Sequence, residues 1–129
     1  MGISVNEVRL QGNLGSDPQG KDMPNGGRVV NVSLATTKNW KDRDTGQPQS
    51  RTEWHSLVLF NGLAKTLESY ARKGKEIYVR GELRTRKWQD QGGQDRYTTE
   101  VVVEDLQLGN DPQSVRHGAQ QAPANYSAP

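Results

Sequence analysis

Three tryptophans stand where apolar residues give no cover. Trp40 lies in Lys38-Asn39-Trp40-Lys41, Trp54 in Thr52-Glu53-Trp54-His55, and Trp88 in Arg86-Lys87-Trp88-Gln89. Leaving large aromatic rings uncovered is unfavourable unless a partner covers them. A ring beside Lys or Arg suits one ligand chemistry well: flat bases stack on the ring while the cations hold the phosphates. The general figure for such stacking is ~1–3 kcal/mol per base, and it tolerates any base because each has a π-face. The alternative is that the rings cover a barrel or bury a subunit contact, the commoner fate of a single Trp.

Charge supports an anionic polymer as partner. The net charge is only +2, but its distribution is uneven. Between Arg72 and Lys87 stand seven basic residues (Arg72, Lys73, Lys75, Arg80, Arg84, Arg86, Lys87) against two acidic ones, Glu76 and Glu82. Clustering of this kind is an electrostatic footprint for nucleic acid, although charge alone is more often a solvated face.

Other chemistries find little support. There is no cysteine, which excludes disulfides, thiolate metal sites and a thiol nucleophile. His55 and His117 cannot by themselves make a zinc site. No phosphate-loop or serine–histidine–acid pattern occurs. Metal-assisted hydrolysis would need converging carboxylates, yet Glu104 and Asp105 are adjacent and would point to opposite faces of a strand. Asp90 and Asp95 fall on a hairpin tip. Neither an enzyme nor a cofactor is expected. No apolar run approaches the ~20 residues of a membrane span, and the N-terminus lacks the apolar segment of a secretory signal. A cytoplasmic protein with no membrane partner is the default.

The elements that must position these residues can be read from alternation and turn chemistry. A first strand is predicted over about Val5 to Leu14, broken by Gly15-Ser16-Asp17-Pro18. Met23-Pro24-Asn25-Gly26-Gly27 is a turn, followed by a second strand through Val30, Val32 and Leu34. Asp42 to Ser50 reads as an exposed loop and Thr52 to Asn61 as the third strand. Leu63, Ala64, Leu67, Tyr70 and Ala71 recur at helical spacing, with Asn61 as start cap and Gly74 as stop. The fourth strand places Ile77, Val79 and Leu83 on one face. Asp90 to Asp95 reads as a hairpin tip, and Tyr97 to Leu108 as the fifth strand.

Three strands, one helix and two strands predict an all-β fold, a five-stranded OB-fold barrel with the α-helix between strands 3 and 4. Residues 1–108 form this domain, and 109–129 read as a disordered polar tail. Parity along the third strand puts His55, Leu57 and Leu59 on one face and Trp54, Ser56, Val58 and Phe60 on the other. The Leu pair is the core stripe, so Trp54 and Phe60 flank the outer face. Arg84-Thr85-Arg86-Lys87-Trp88 and Arg96-Tyr97 enclose the tip as a basic hairpin.

At these residues the chain resembles the bacterial single-stranded DNA-binding protein (SSB) family over about Val5 to Val103. The resemblance rests on Gly12-Asn13-Leu14-Gly15 with Asp17-Pro18, on Pro24-Asn25-Gly26-Gly27, and on Thr52-Glu53-Trp54-His55 ahead of Leu59-Phe60. Gly81 through Arg84-Thr85-Arg86-Lys87-Trp88, and Gly93-Gln94-Asp95-Arg96-Tyr97-Thr98-Thr99-Glu100-Val101, complete it. It implies a homotetramer that binds single-stranded DNA without marked sequence preference during replication, recombination and repair. Stacking positions would fall on Trp40, Trp54, Phe60 and Trp88. Phosphate contacts would fall on Lys41, Arg43, Arg72, Lys73, Arg84, Arg86, Lys87 and Arg96, and subunit contacts on His55 and Tyr78. Ser56 and Gly62 stand where the family often carries basic residues. The family's acidic C-terminal tip is replaced by Ala124-Asn125-Tyr126-Ser127-Ala128-Pro129, with Asp111 the last acidic residue. Recruitment of repair and replication enzymes by that route is therefore not expected of this sequence.

Overall fold

A computed structural model describes residues 2–112. The elements run β1 (Val8–Leu14), β2 (Gly20–Asp22), β3 (Arg28–Lys41), β4 (Pro48–Phe60), α1 (Asn61–Tyr70), β5 (Glu76–Gln89) and β6 (Asp95–Leu108). The sheet order is β1-β5-β6-β4-β3-β2, and a second pairing of β1 with β3 closes it into a five-stranded barrel. Closure is narrow, resting on Asn13 opposite Ala35 and Leu14 opposite Leu34. It requires a residue without a side chain, because a Cβ on Gly12 would stand 2.1 Å from the Ala35 carbonyl oxygen. β4 and β6 meet as the parallel pair, Leu57 opposite Val101 and Val58 opposite Val102. This is the OB arrangement that the strand order implied.

The core follows from alternation. Leu14, Val30, Val32, Leu34, Leu57, Leu59, Ile77, Val79, Val101 and Val103 point inward, and Ala64, Leu67 and Ala71 from the helix and its end pack on the same cluster. Each fully buried Leu or Val contributes about 1.5–3 kcal/mol relative to exposure. Together they fix which face of every strand is left for solvent or a partner.

Several boundaries differ from expectation, each for a local reason. β1 begins at Val8 because Ile3 and Val5 are exposed and bury nothing. The Asn6 side-chain amide takes over there, donating to the Leu83 carbonyl oxygen and accepting from the Leu83 N–H, both at 2.9 Å. β2 has no apolar alternation and is made by tertiary partners. Its three residues pair with Arg28–Val30, and Gly20 N–H donates to Glu68 at 2.8 Å. The loop expected over Asp42–Ser50 contracts to a turn, in which Asp42 N–H donates to the Gln47 carbonyl and Gly46 N–H to the Asp42 carbonyl. β3 and β4 are therefore paired from Val29 opposite Phe60 to Lys41 opposite Pro48, and Trp40 stands on a strand.

Asn61 does not cap the helix. β4 runs straight into α1, Asn61 takes a positive φ of 54° to turn the chain, and its side-chain oxygen accepts from Arg28 N–H of β3 instead. Phe60 occupies the cap position without a side-chain bond, and Ala71 follows the last turn. Gly74 serves the next turn, at φ 90°, with its N–H on the Leu14 carbonyl. Leu83 shares a pleat face with Ile77 and Val79 but is 47% exposed. The pairing with β6 shifts register between Arg80 and Gly81, and beyond it β5 leaves the barrel as a two-stranded ribbon.

The tail expected from 109 onward lies outside the described residues over 113–129. Residues 109–112 return to the start of β5, where Glu76 N–H donates to the Asn110 carbonyl and Lys75 Nζ to Asp111 at 2.8 Å.

Candidate nucleic-acid interface

Directly opposed residues share a face of a sheet, so the register sorts the candidate side chains. On β4 the outer face carries Trp54, Ser56, Val58 and Phe60, opposite Ala35, Ser33, Asn31 and Val29 of β3. Through Val58 and Val102 this face continues onto β6. From β6 it crosses to β5, where Glu100, Thr98 and Arg96 stand opposite Arg84, Arg86 and Trp88. One continuous outer face therefore gathers Trp54, Phe60, Trp88, Arg84, Arg86 and Arg96. Trp54 is 62% exposed, Phe60 39% and Trp88 42%.

The aromatic side chains are held rather than loose. Trp54 lies against the backbone of Gly15: a Cβ added there would stand 2.6 Å from its Cζ3 atom. Gly15 is itself fixed by its N–H on the Ser33 carbonyl at 2.9 Å. Trp88 donates from Nε1 to Thr98 Oγ1 at 2.8 Å, which orients the indole along the hairpin. Such preorganisation reduces the ordering cost when a ligand arrives.

Two of the singled-out residues fall on the other side of their ribbons. Trp40 stands opposite Gln49, on the pleat face that includes Leu34 and Thr36. Lys87 stands opposite Tyr97, away from Trp88. Lys41 ends β3, and Arg43 lies in the turn that follows. Arg72 is folded back at the end of α1, its Nη1 donating to the Glu68 and Ala71 carbonyls. Lys73 adjoins the loop that follows Gly15, since its N–H donates to Asp17 Oδ1 at 2.7 Å. Arg72 and Lys73 thus precede the start of β5, whereas Trp88 stands at its end.

His55 is half-buried on the core side, with Nε2 2.9 Å from Thr36 Oγ1. Its position away from Trp54 matches the parity reading. Tyr78 lies at the opposite end of β5 from Trp88, opposite Gln11 on β1 and Gln107 on β6. With Gln11, Glu76 and Gln107 it lines a shallow cleft of about 220 Å³.

Electrostatically the hairpin is nearly self-neutralised. Arg84 pairs with Glu82 at 2.7 Å, Arg86 with Glu100 at 3.1 Å, Lys87 with Asp95 at 3.3 Å and Arg96 with Asp90 at 2.9 Å. The Arg96 guanidinium, helped by backbone N–H groups, holds the Asp90 carboxyl below the ordinary aspartate range. Lys41, Arg43 and Lys73 make no ion pair among the described residues.

Composition and alternation did not reveal three features. The seat that Gly15 makes for Trp54 depends on a close backbone approach, although Gly15 belongs to a motif already singled out. The carboxylates paired to the hairpin cations were counted there only as charges. Finally, the register brings Lys38 directly opposite Arg51. With Arg9, Leu10 and Thr36 they line a cleft of about 450 Å³. Directly opposed like charges are unfavourable in a sheet, and Arg51 is offset here by Glu53 of the same strand, at 3.7 Å. The expectation for Glu104 and Asp105 needs correction. The register shift leaves Glu104 as the extra residue, and both carboxylates reach Arg80. No three His, Cys, Asp or Glu side chains gather as metal ligands among the described residues.

The model of the Single-strand binding protein family matches residues 5–109. The chain belongs to the single-strand binding protein family. Among solved structures, it is similar to a Plasmodium falciparum SSB in complex with single-stranded DNA, at 34% identity and a TM-score of 0.76. The match covers 85% of this chain and 99% of the other. In this member of the single-strand binding family, the matched segment takes in the whole barrel and both ribbons. No helix among the described residues is long and apolar enough to cross a membrane.

Proposed function

We propose that the chain binds single-stranded DNA without marked sequence preference, by stacking bases on Trp54, Phe60 and Trp88 and holding phosphates with Arg84, Arg86 and Arg96. The observation that carries this reading is the gathering of those three exposed rings and three guanidiniums on one outer face. A paired duplex hides its base faces, so rings of this kind favour unpaired strand. The strand continues past the end of β4 toward Lys73 and Arg72, and around the β3–β4 turn to Lys41, Arg43 and Trp40 on the reverse of that ribbon. Ser56 lies between Trp54 and Phe60 without a charge, which makes that stretch of the path one of stacking alone.

Binding of this sort protects and organises unpaired strand during replication, recombination and repair. Family membership supports a homotetramer, with His55 and Tyr78 near subunit contacts and residues 1–108 as the binding domain. Cytoplasmic location and a non-catalytic role belong to the same reading.

The test is competition. A fluorescently labelled oligo-dT is bound and its anisotropy followed while unlabelled oligo-dT, poly-U or duplex is added. Oligo-dT should compete at far lower concentration than duplex. Equal competition by duplex would overturn the stacking reading, and preference for poly-U would redirect it to RNA.

A further inference from the structure

The outer face carries its own counter-charges. Glu82 and Glu100 lie on the same pleat face as Arg84, Arg86 and Trp88, and each is bonded to one of the two arginines, at 2.7 Å and 3.1 Å. Asp90, at the tip, holds Arg96 in the same way. These acids are not needed to fill the core, and elsewhere on the hairpin Thr85 and Thr99 bridge the strands without charge, at 2.8 Å. Resting on the binding reading above, we infer that Glu82, Asp90 and Glu100 are built-in competitors of phosphate, which set the selectivity of the face for unpaired bases over bare polyanion.

When a phosphate takes Arg86, Glu100 loses its partner and must find a cation from solution while standing beside a polyanion. The exchange offsets part of the Coulomb gain and part of the counterion release that normally drives phosphate binding. Stacking on Trp54, Phe60 and Trp88 is untouched by it. A ligand that offers phosphates alone therefore gains little, and a ligand that offers exposed bases still binds. The effect falls harder on duplex, whose charge density is higher than that of a single strand.

The experiment compares the wild-type protein with Glu82→Gln, Glu100→Gln and the double variant. Glutamine keeps the size and one acceptor oxygen, so the ribbon is preserved, and circular dichroism checks the fold of each. Glu104→Gln removes the same unit of charge at Arg80, which Asp105 still neutralises, and serves as the control. Labelled oligo-dT and a duplex of equal length are titrated at several salt concentrations.

The hairpin variants should bind oligo-dT tighter by about 1.5- to 5-fold for each ion pair removed, the range of surface pairs, since both arginines are exposed although Glu100 is only 12% so. Their log–log salt dependence should steepen by up to ~0.7 for each cation freed. The gain for duplex should be larger, while Glu104→Gln moves neither ligand. Unchanged affinity, an unchanged salt slope, or an equal gain in Glu104→Gln would overturn the inference. Wild-type affinity for oligo-dT reports on the binding reading itself, and the differences among variants report on the competitors, so the two fail separately.

Discussion

Gly15→Ala adds one methyl group beneath Trp54 and leaves every proposed contact residue in place. Gly15 is not among the glycines with positive φ, so alanine meets no backbone strain there. The new Cβ would lie 2.6 Å from Trp54 Cζ3, 3.2 Å from Cη2 and 2.7 Å from Ser33 Oγ. Comfortable contact begins near 3.4 Å, so the indole must retreat by roughly 0.8 Å or tilt off its seat. The Ser33 hydroxyl can rotate away, whereas the ring can only move outward, toward the space a base would occupy. Full loss of one stacked base costs ~1–3 kcal/mol. A displaced ring that still makes partial contact should lose about 1 kcal/mol, or roughly fivefold in affinity. Anisotropy titration with oligo-dT at fixed salt measures this in four proteins: wild type, Gly15→Ala, Trp54→Ala and the double variant. Gly15→Ala should weaken binding in the wild-type background and have almost no effect once Trp54 is alanine, a coupling that the double-mutant cycle isolates. Equal losses in both backgrounds would refute the seat.

Two further predictions concern what positions the face. Gly12→Ala would place a Cβ 2.1 Å from the Ala35 carbonyl oxygen, forcing apart the β1–β3 closure. It should cost at least ~2 kcal/mol and lower the thermal midpoint by roughly 10 °C; an unchanged melt by circular dichroism would show that closure does not depend on this contact. Glu68 accepts two bonds from Arg28, at 2.7 and 2.9 Å, and these hold its carboxyl below the ordinary glutamate range while burial opposes them. A carboxylate depressed in the folded state contributes stability above its unfolded pKa and loses it as pH falls through the folded value. The difference in urea midpoint between wild type and Glu68→Gln should therefore be largest near pH 7 and shrink below the ordinary carboxylate range, and a constant difference would contradict the assignment.

Much of this was legible in the sequence because alternation speaks directly about faces. Leu57 and Leu59 against Trp54 and Phe60 is a pattern that only one orientation of β4 satisfies, and the structure has that orientation. The helix was equally plain, since Ala64 and Leu67 are spaced for one buried stripe. Less legible was anything decided by a partner distant in sequence. β2 exists because Arg28–Val30 and Glu68 receive it, and nothing in Gly20-Lys21-Asp22 announces a strand. Asn61 looks like a cap by type, yet its amide is taken by Arg28 N–H of β3. The length of the β3–β4 ribbon was hidden by a polar stretch that reads as loop, which is why the face of Trp40 could not be assigned. Leu83 followed the alternation faithfully, but alternation does not tell where a strand leaves the barrel. The candidate site divides along the same line. Its rings and cations were found by type and spacing, while the Gly15 seat and the pairing of Arg86 with Glu100 needed the register.

The most direct test of base stacking on the outer face uses proteins that retain one tryptophan, with the others replaced by phenylalanine. The intrinsic fluorescence of the Trp54-only and Trp88-only proteins is followed as poly-dT is added at low and at high salt. Strong quenching of both is predicted, needing more poly-dT at high salt but reaching the same depth, because salt weakens phosphate contacts and leaves stacking in place. Binding with no quenching of either tryptophan would contradict the account.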